Sequence, residues 1–152
     1  STGNAIPSLA GLSEGYLINA MNEYRDDGRL SQIMGRIAKG YTDDQIESMA
    51  TFFAAQPVHS NINQQFDDAK ARKGEKLHKK YCESCHTAGG TDPEDDAGLL
   101  SGNAVLFMKY TLADFHDGSR SMPKRMNKMM KKALKKDSNA LDNLTNYYGS
   151  AK

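Results

Sequence analysis

The pentapeptide CESCH at 82–86 holds both cysteines of this 152-residue chain. Two thiols at this spacing can form a thioredoxin-like redox pair, a disulfide, part of a zinc site or a haem attachment. A redox pair usually follows a strand, which the segment before Tyr81 does not predict. A zinc site needs four ligands, and Cys82, Cys85 and His86 supply three. A disulfide closing so small a ring would add little stability. C-x-x-C-H is the signature of covalent haem c, which is therefore the favoured interpretation.

In this interpretation the thiols of Cys82 and Cys85 form thioethers with the vinyl groups of one haem. The imidazole of His86 is then an axial ligand of the iron. A second axial ligand is needed, and a methionine there would raise the reduction potential and close the iron to substrates. The candidates after His86 are Met108, Met122, Met126, Met129, Met130 and His116.

Met122 is the favoured second ligand. It precedes Pro123, and a residue before proline is disfavoured in a helix, so Met122 is expected in a loop. Three later methionines follow the i, i+3, i+4 spacing of a buried helix face, which predicts core packing: Met126, Met129 and Met130. Met108 is also expected in the core. His116 remains the rival ligand and would give a bis-histidine haem, although a partly exposed histidine at a helix end is the simpler interpretation.

The rest of the chain predicts an all-α fold. The sequence as a whole has no tryptophan, and 38% of its residues are hydrophobic. Ser13 is expected to cap the first helix and Thr42 to begin a capping box. The predicted helices are 14–26, 43–55, 67–81, 101–115, 124–136 and a last one, capped by Asp137 or Ser138, that ends near Tyr148.

The two halves of the chain resemble each other. At an offset of 91 residues, Leu9, Gly11, Tyr16, Tyr24 and Arg29 match Leu100, Gly102, Phe107, Phe115 and Arg120. At an offset of 95, Ile46, Met49, Phe52 and Phe53 match Leu141, Leu144, Tyr147 and Tyr148. Repetition on this scale predicts a duplicated domain. The expected division is a first domain at 1–57, a linker at 58–69 and a haem-binding domain at 70–152.

The first half has no C-x-x-C-H, so these residues predict one covalently bound haem. Met34 nevertheless occurs near the position expected of an axial methionine in this half, beside Ile33 and Ile37. Core packing is its alternative role. The sequence leaves open whether a haem-binding segment precedes residue 1 or whether this half is a vestigial scaffold.

Four stretches carry a resemblance to a known family: AIPSLAGLSEGYLINAMNEYRDDGR, MGRIAKGYTDDQIESMATFFAAQP, GEKLHKKYCESCH and DGSRSMPKRM. The chain resembles the cytochrome subunit of flavocytochrome c sulfide dehydrogenase and, more loosely, soluble two-domain dihaem cytochromes c. The resemblance implies two class I cytochrome c domains related by a pseudo-twofold axis, and a partner subunit that oxidises sulfide at FAD. Carried over by position, it implies haem attachment at Cys82 and Cys85 and ligation by His86 and Met122. The chain departs from this family in one respect: its first half has no C-x-x-C-H motif.

The expected function is electron transfer rather than catalysis, because two axial ligands leave no open position on the iron. The chain would accept electrons from the FAD subunit; the alternative is a free-standing electron carrier between other redox complexes. Covalent haem c is normally attached outside the cytoplasm, so a bacterial chain of this kind is expected in the periplasm.

Charge and hydropathy limit the classes of partner that can be expected for this chain. A net charge of +1 argues against a nucleic-acid-binding protein, and no apolar run approaches membrane-spanning length. The segment 124–136 has seven basic and no acidic residues. It is expected to be either a solvated helix face or a docking surface for an acidic, downstream redox protein. Residues 1–57 carry a net charge of −3 and are expected to contact the flavoprotein subunit or to support the haem domain.

Overall fold

A computed structural model describes residues 5–60, 64–93 and 97–151. Within these ranges the chain is helical and has no strand, as expected. Part of the predicted linker, 61–63, lies outside the described residues, as do residues 94–96. The helices are α1 Glu14–Arg25, α2 Gln32–Ala38, α3 Asp43–Ala54, α4 Asp68–Tyr81, α5 Val105–Asp117, α6 Lys124–Lys136 and α7 Ala140–Gly149, with a short 3-10 turn at Ala88–Gly90 between α4 and α5.

Local capping explains where several helices begin. The Ser13 hydroxyl accepts a hydrogen bond of 3.1 Å from the Tyr16 N–H at the start of α1. Thr42 and Gln45 form the predicted capping box at the start of α3, each side chain accepting from the backbone N–H of the other. The Asp67 carboxylate accepts from two N–H groups of the first turn of α4. These side chains satisfy donors that the helix itself leaves unpaired.

Three helix starts differ from the expectation. α5 begins at Val105 rather than near Ser101, whose hydroxyl instead donates to the Gly89 carbonyl at 2.7 Å. α7 begins at Ala140, later than a cap at Asp137 or Ser138 would allow. The helix α2, capped by Ser31, was not predicted, because its seven residues present exposed isoleucines rather than an apolar stripe.

The carboxy-terminal half is built around the crossing of α4 and α7. Gly74 lies at this crossing, where an added Cβ would overlap the Asn143 carbonyl and contact the Tyr147 side chain at 2.7 Å. Around it lies one buried cluster: Leu77, Met108, Leu112, Ala133, Ala140, Leu144 and Tyr148. The absence of a side chain at Gly74 therefore allows the two helix backbones to approach closely.

The amino-terminal half has a smaller core to which the other half contributes. Leu12, Leu17 and Ala50 pack with Leu99, a residue that follows α4 by eighteen positions. The Ser13 N–H also donates to the Pro93 carbonyl at 3.2 Å. The segment between α4 and α5 thus joins the two halves.

Equivalent contacts recur in the two halves, which confirms the internal repeat. The Gly11 N–H donates to the Phe53 carbonyl, and the Gly102 N–H donates to the Tyr148 carbonyl, both at 2.9 Å. Both glycines have a positive φ, 74° and 79°. The Arg29 and Arg120 N–H groups likewise each donate to the carbonyl six residues earlier, both at 3.0 Å. The boundaries at 57, 58–69 and 70 remain predictions. Among the described residues, no helix has the length and apolar character needed to cross a bilayer.

Candidate haem site

The C-x-x-C-H motif forms a tight turn at the end of α4. Cys82 is the C-cap residue, and its N–H donates to the His78 carbonyl at 2.8 Å. The N–H groups of Cys85 and His86 both donate to the Cys82 carbonyl at 3.0 Å. These bonds hold the two thiols and the imidazole in one short segment.

This segment forms part of the wall of a cavity of about 800 Å³. Cys82, Cys85 and His86 all line it, so the structure brings these three predicted site residues together. The rest of the wall is largely apolar and comes from both halves, including Tyr16, Ala20, Leu99, Leu100, Phe107, Met108, Leu112, Phe115, Met126, Met129, Met130, Ala133, Leu141, Leu144 and Tyr148. The volume lies in the range of about 300–1,000 Å³ that is typical of small-molecule and cofactor sites.

A buried histidine of α4 contacts the C-x-x-C-H motif. His78 is fully buried; its Nδ1 is 3.0 Å from the Tyr148 hydroxyl, and its Nε2 is 2.6 Å from Oε2 of Glu83 inside the motif. Burial lowers the pKa of His78, an effect that the neighbouring Glu83 carboxylate opposes. Burial also holds the pKa of Tyr148 well above its usual value, so its hydroxyl keeps its proton. Sequence reasoning missed this arrangement, because its members are up to 70 residues apart.

The two cysteines differ in exposure, and both are free thiols. Burial raises the pKa of the half-buried Cys82 thiol, whereas the Cys85 side chain is exposed. Across 5–60, 64–93 and 97–151, no three His, Cys, Asp or Glu side chains are arranged to hold a metal ion. Both cysteines line the large cavity.

The candidate axial ligands lie at different places. Met122 is half-buried in the loop before α6, as predicted, but only its neighbours Ser121 and Pro123 are among the residues that line the cavity. The α6 methionines, for which core packing was predicted, line the cavity as well. His116 is exposed and does not line it. Met122 thus stays a prediction, and the loop that carries it forms the cavity edge.

A second, smaller cavity of about 280 Å³ lies in the amino-terminal half. Met34 lines it, together with Tyr24, Arg29, Ile46 and Phe53. Its neighbours Ile33 and Ile37 are exposed, at 69% and 44%. Met34 therefore faces an apolar space in the half without C-x-x-C-H, and no cysteine lines that space.

Three arginines also line the large cavity, and two of them occupy equivalent places in the repeat: Arg29 in the first half and Arg120 in the second, with Arg125 as the third. In the equivalent pair, each guanidinium lies over the aromatic ring five positions earlier, 4.7 Å from the Tyr24 centroid and 4.3 Å from the Phe115 centroid. Burial lowers the pKa of Arg120, and the positive charge of Arg29 lowers it further. The sequence repeat had matched these residues without indicating a role; the shared Arg–aromatic spacing was the available signal.

The residues of the large cavity fit a covalently attached haem. Its volume and apolar wall suit a large planar macrocycle, and two thiols and an imidazole occur together on one part of that wall. The α6 methionines can supply a thioether on another part of the wall, and Met122 lies in the loop at the edge of the cavity. The donor set is therefore compatible with a haem c site.

No protein-family model matches the chain. Three relatives do. The thiosulfate dehydrogenase electron acceptor of Thiomonas intermedia is 26% identical over 123 residues, covering 76% of this chain and 57% of the relative. The cytochrome subunit of sulfide dehydrogenase of Chlorobaculum tepidum is 38% identical over 53 residues, covering 35% and 48%. Cytochrome c4 of Pseudomonas aeruginosa is 26% identical over 125 residues, covering 76% and 60%. The matches thus span about half of each relative's length.

Solved structures extend the likeness to the whole fold. Cytochrome c4 of Pseudomonas stutzeri superposes with a TM-score of 0.80 at 22% identity, covering 100% of this chain and 88% of that one. Cytochrome c4 of Acidithiobacillus ferrooxidans gives a TM-score of 0.77 at 22% identity, covering 97% and 90%. The chain has the two-domain class I cytochrome c fold.

Thiosulfate dehydrogenase of Marichromatium purpuratum shares the class I cytochrome c fold over part of its length, with a TM-score of 0.79 at 21% identity. That match covers 96% of this chain and 33% of the other. The all-α fold with two cytochrome c-like domains, predicted from the sequence, is confirmed. The relatives also support the broader family, the two-domain class I cytochromes c.

Proposed function

We propose that the chain transfers electrons by means of one haem c attached at Cys82 and Cys85, as the electron-accepting cytochrome of a sulfide dehydrogenase. The observation that carries the proposal is that both thiols and the His86 imidazole line one apolar cavity of about 800 Å³. The relatives, all of them cytochromes or electron acceptors by name, support the same function.

In this function the chain's own residues bind and shield the redox centre. Cys82 and Cys85 would hold the macrocycle covalently, and His86 and Met122 would supply an imidazole nitrogen and a thioether sulfur to its iron. When bound, the haem supplies a centre that gains and loses one electron at a time. The apolar wall excludes water, and His78 and Glu83 keep the motif in its turn. With two protein donors on the iron, no position would be open to a substrate, so we assign the oxidation of the substrate to a partner subunit.

The proposed partner is an FAD-containing subunit that oxidises sulfide, and the proposed location is the bacterial periplasm. Support for this partner comes from the family resemblance and the 38% identity over 53 residues to a sulfide dehydrogenase cytochrome subunit. The relative that accepts electrons from thiosulfate dehydrogenase makes a thiosulfate-oxidising partner the second candidate. The cytochrome c4 relative keeps the free-standing carrier as the alternative.

Haem attachment is tested by expressing the full chain in a bacterium that exports and matures cytochromes c. We expect a mass increase of one haem and a pyridine haemochrome spectrum typical of two thioether bonds. The double variant Cys82→Ala/Cys85→Ala should fold to a colourless protein with no added mass. A colourless parent protein, or one whose cysteines are joined to each other or bound to zinc, would overturn the proposal.

The axial ligand is tested on the loaded protein by the weak near-infrared absorption of methionine bound to ferric haem. Met122→Ala should abolish this absorption and lower the reduction potential, whereas Met126→Ala and Met129→Ala should retain it. Loss in Met126→Ala alone would transfer the role to α6. Absence of the band in the parent protein would favour His116.

The partner is tested by mixing the oxidised cytochrome with candidate dehydrogenases. Rapid reduction by sulfide in the presence of an FAD subunit, with co-purification of the two chains, would support the proposal. Reduction only with a thiosulfate dehydrogenase would select the second candidate, and no stable complex with either would select the free carrier.

A further inference from the structure

Three arginines line the wall of the large, mostly apolar cavity: Arg29, Arg120 and Arg125. Arg125 is exposed and donates a hydrogen bond of 3.3 Å to the Ser84 hydroxyl. Arg29 is only 6% exposed, and Arg120 is half-buried. These two approach from different halves of the molecule and occupy equivalent places in the repeat. Both side chains line the same cavity as the two cysteines and the histidine of the C-x-x-C-H motif.

Neither guanidinium has a polar partner among the described residues. Among residues 5–60, 64–93 and 97–151, neither side chain forms an ion pair or a hydrogen bond. Glu23 and Asp26 also line the cavity, but neither carboxylate forms an ion pair with these two arginines. The ring contacts with Tyr24 and Phe115 cover one face of each guanidinium and leave its in-plane N–H donors available.

A buried and a half-buried cation that lack an ion pair and line one cavity favour an anionic ligand in that cavity. Burying a charge is costly unless an opposite charge and hydrogen bonds compensate for it. Planar guanidinium groups bind carboxylates through two parallel hydrogen bonds, which makes them suited to this anion in particular. A haem carries two carboxylate side chains on one edge, and a haem is the ligand that the cavity's thiols call for.

We propose that Arg29 and Arg120 together bind the carboxylates of the haem in the large cavity, so that the half without C-x-x-C-H completes the haem site. The proposal rests on the haem site at Cys82 and Cys85. It gives the first half a direct role: its Arg29 positions a cofactor that is covalently attached to the other half.

The test compares loaded full-length variants Arg29→Gln, Arg120→Gln, the double variant and Arg29→Lys. Arg36→Gln is the matched control, because Arg36 is exposed on α2 and does not line the cavity. Intact mass and pyridine haemochrome first establish that each variant carries one haem. Resonance Raman spectra then report the bending mode of the haem carboxylates, and voltammetry reports the reduction potential.

We expect Arg29→Gln and Arg120→Gln each to shift the carboxylate mode towards that of a carboxylate without hydrogen bonds. Each should also lower the reduction potential, because removing a nearby positive charge favours the ferric state. Arg29→Lys should keep the potential closer to that of the parent while still shifting the mode, since lysine preserves the charge but not the two-pronged contact. Arg36→Gln should match the parent in both measurements.

An unchanged carboxylate mode in the double variant, with haem fully attached, would overturn this proposal and leave the proposed function intact. A shift in Arg120→Gln but not in Arg29→Gln or Arg29→Lys would also overturn it, because the haem would then be held by its own half alone. A parent chain that attaches no haem would overturn both proposals.

Discussion

His78 shows how a single side chain couples the interior to the candidate haem site. Its ring lies between the Tyr148 hydroxyl, which is itself buried, and the carboxylate of Glu83 in the motif. Removing the ring leaves the Tyr148 hydroxyl without its partner at Nδ1 and opens a void in a close-packed region. The residue behind the motif thus contributes both to stability and to the geometry of the two thiols.

We expect His78→Ala to lower the free energy of unfolding by about 1–3 kcal/mol from the lost hydrogen bond, with a further loss from the cavity. The measurement is guanidinium unfolding of the haem-loaded protein. The exposed His59 provides the control His59→Ala, which should leave the midpoint unchanged. Equal midpoints for the parent and His78→Ala would refute the supporting role.

Asp67 makes stability depend on acid pH through the first turn of α4. Its carboxylate accepts from the Lys70 and Ala69 N–H groups, and these bonds lower its pKa below the usual 3.8. The folded state therefore binds this proton less readily than the unfolded state. The stabilisation is present above pH 3.8 and is lost as the pH falls through the lower, folded-state pKa.

Asp67→Ala should therefore lower the thermal midpoint at pH 7, and the difference from the parent should shrink as the pH falls below 3.8. Asp68→Ala is the comparison variant one position later, inside the helix, and it should cost less at pH 7. Thermal unfolding followed by circular dichroism at several pH values gives both results. A difference between Asp67→Ala and the parent that does not change with pH would show that the carboxylate's charge has no part in the cap.

At the level of whole helices, the crossing of α4 and α7 depends on one missing side chain. A Cβ at position 74 would overlap the Asn143 carbonyl, which is backbone and has no rotamer to escape into. The two helices would have to move apart, and the buried cluster around Leu77 and Leu144 would loosen. α4 also ends directly in the motif, so a displaced α4 would displace the thiols.

We expect Gly74→Ala to destabilise the loaded protein by about 1–3 kcal/mol, the usual cost of overpacking, despite the higher helix propensity of alanine. Gly28→Ala is the control, because a Cβ there would meet only ordinary contacts at 3.6 Å and beyond. Both variants are measured by chemical denaturation. A Gly74→Ala protein as stable as the Gly28→Ala protein would contradict the close helix approach.

The basic surface of α6 is the element on which docking of a redox partner is predicted. All seven of its basic residues are exposed: Lys124, Arg125, Lys128, Lys131, Lys132, Lys135 and Lys136. Other residues of the same helix line the large cavity, so this surface lies close to the candidate redox centre. Its charge would attract an acidic partner and speed their encounter.

We expect the triple variant Lys128→Gln/Lys131→Gln/Lys135→Gln to slow electron transfer to an acidic acceptor by about tenfold or more at low ionic strength. The difference should vanish in high salt, where such charges are screened. A triple variant of exposed lysines on α4, Lys70→Gln/Lys73→Gln/Lys76→Gln, is the matched control. Stopped-flow rates that do not depend on salt would defeat the docking prediction.

Sequence patterns predicted the parts of the fold that depend on neighbouring residues. Ser13 and Thr42 cap helices through bonds to N–H groups three positions later, which a local pattern contains. The start of α5 was misjudged because the Ser101 hydroxyl bonds to Gly89, twelve positions earlier, instead of capping a helix. The C-x-x-C-H motif gave three residues of the candidate site, but Arg29 and His78 reach it through tertiary packing, which a local pattern does not contain.

At the scale of the whole molecule, each half contributes residues to the core or the cavity of the other. Leu99 follows the motif and precedes α5, yet it is buried in the core of the amino-terminal half with Leu12, Leu17 and Ala50. Arg29 contributes in the opposite direction, from the first half to the wall of the large cavity. This exchange makes the stability of each half depend on the other.

We therefore expect Leu99→Ala to lower the free energy of unfolding by about 2–5 kcal/mol, the usual cost of truncating a buried leucine. Hydrogen exchange should become faster in α1 and α3, which belong to the amino-terminal half, as well as around residue 99. Leu30→Ala is the control, because Leu30 is 74% exposed and its truncation leaves no internal void. If Leu99→Ala altered exchange only in the carboxy-terminal half, the two halves would be independent units. That result would weaken the proposal that Arg29 of the first half binds a cofactor attached to the second half.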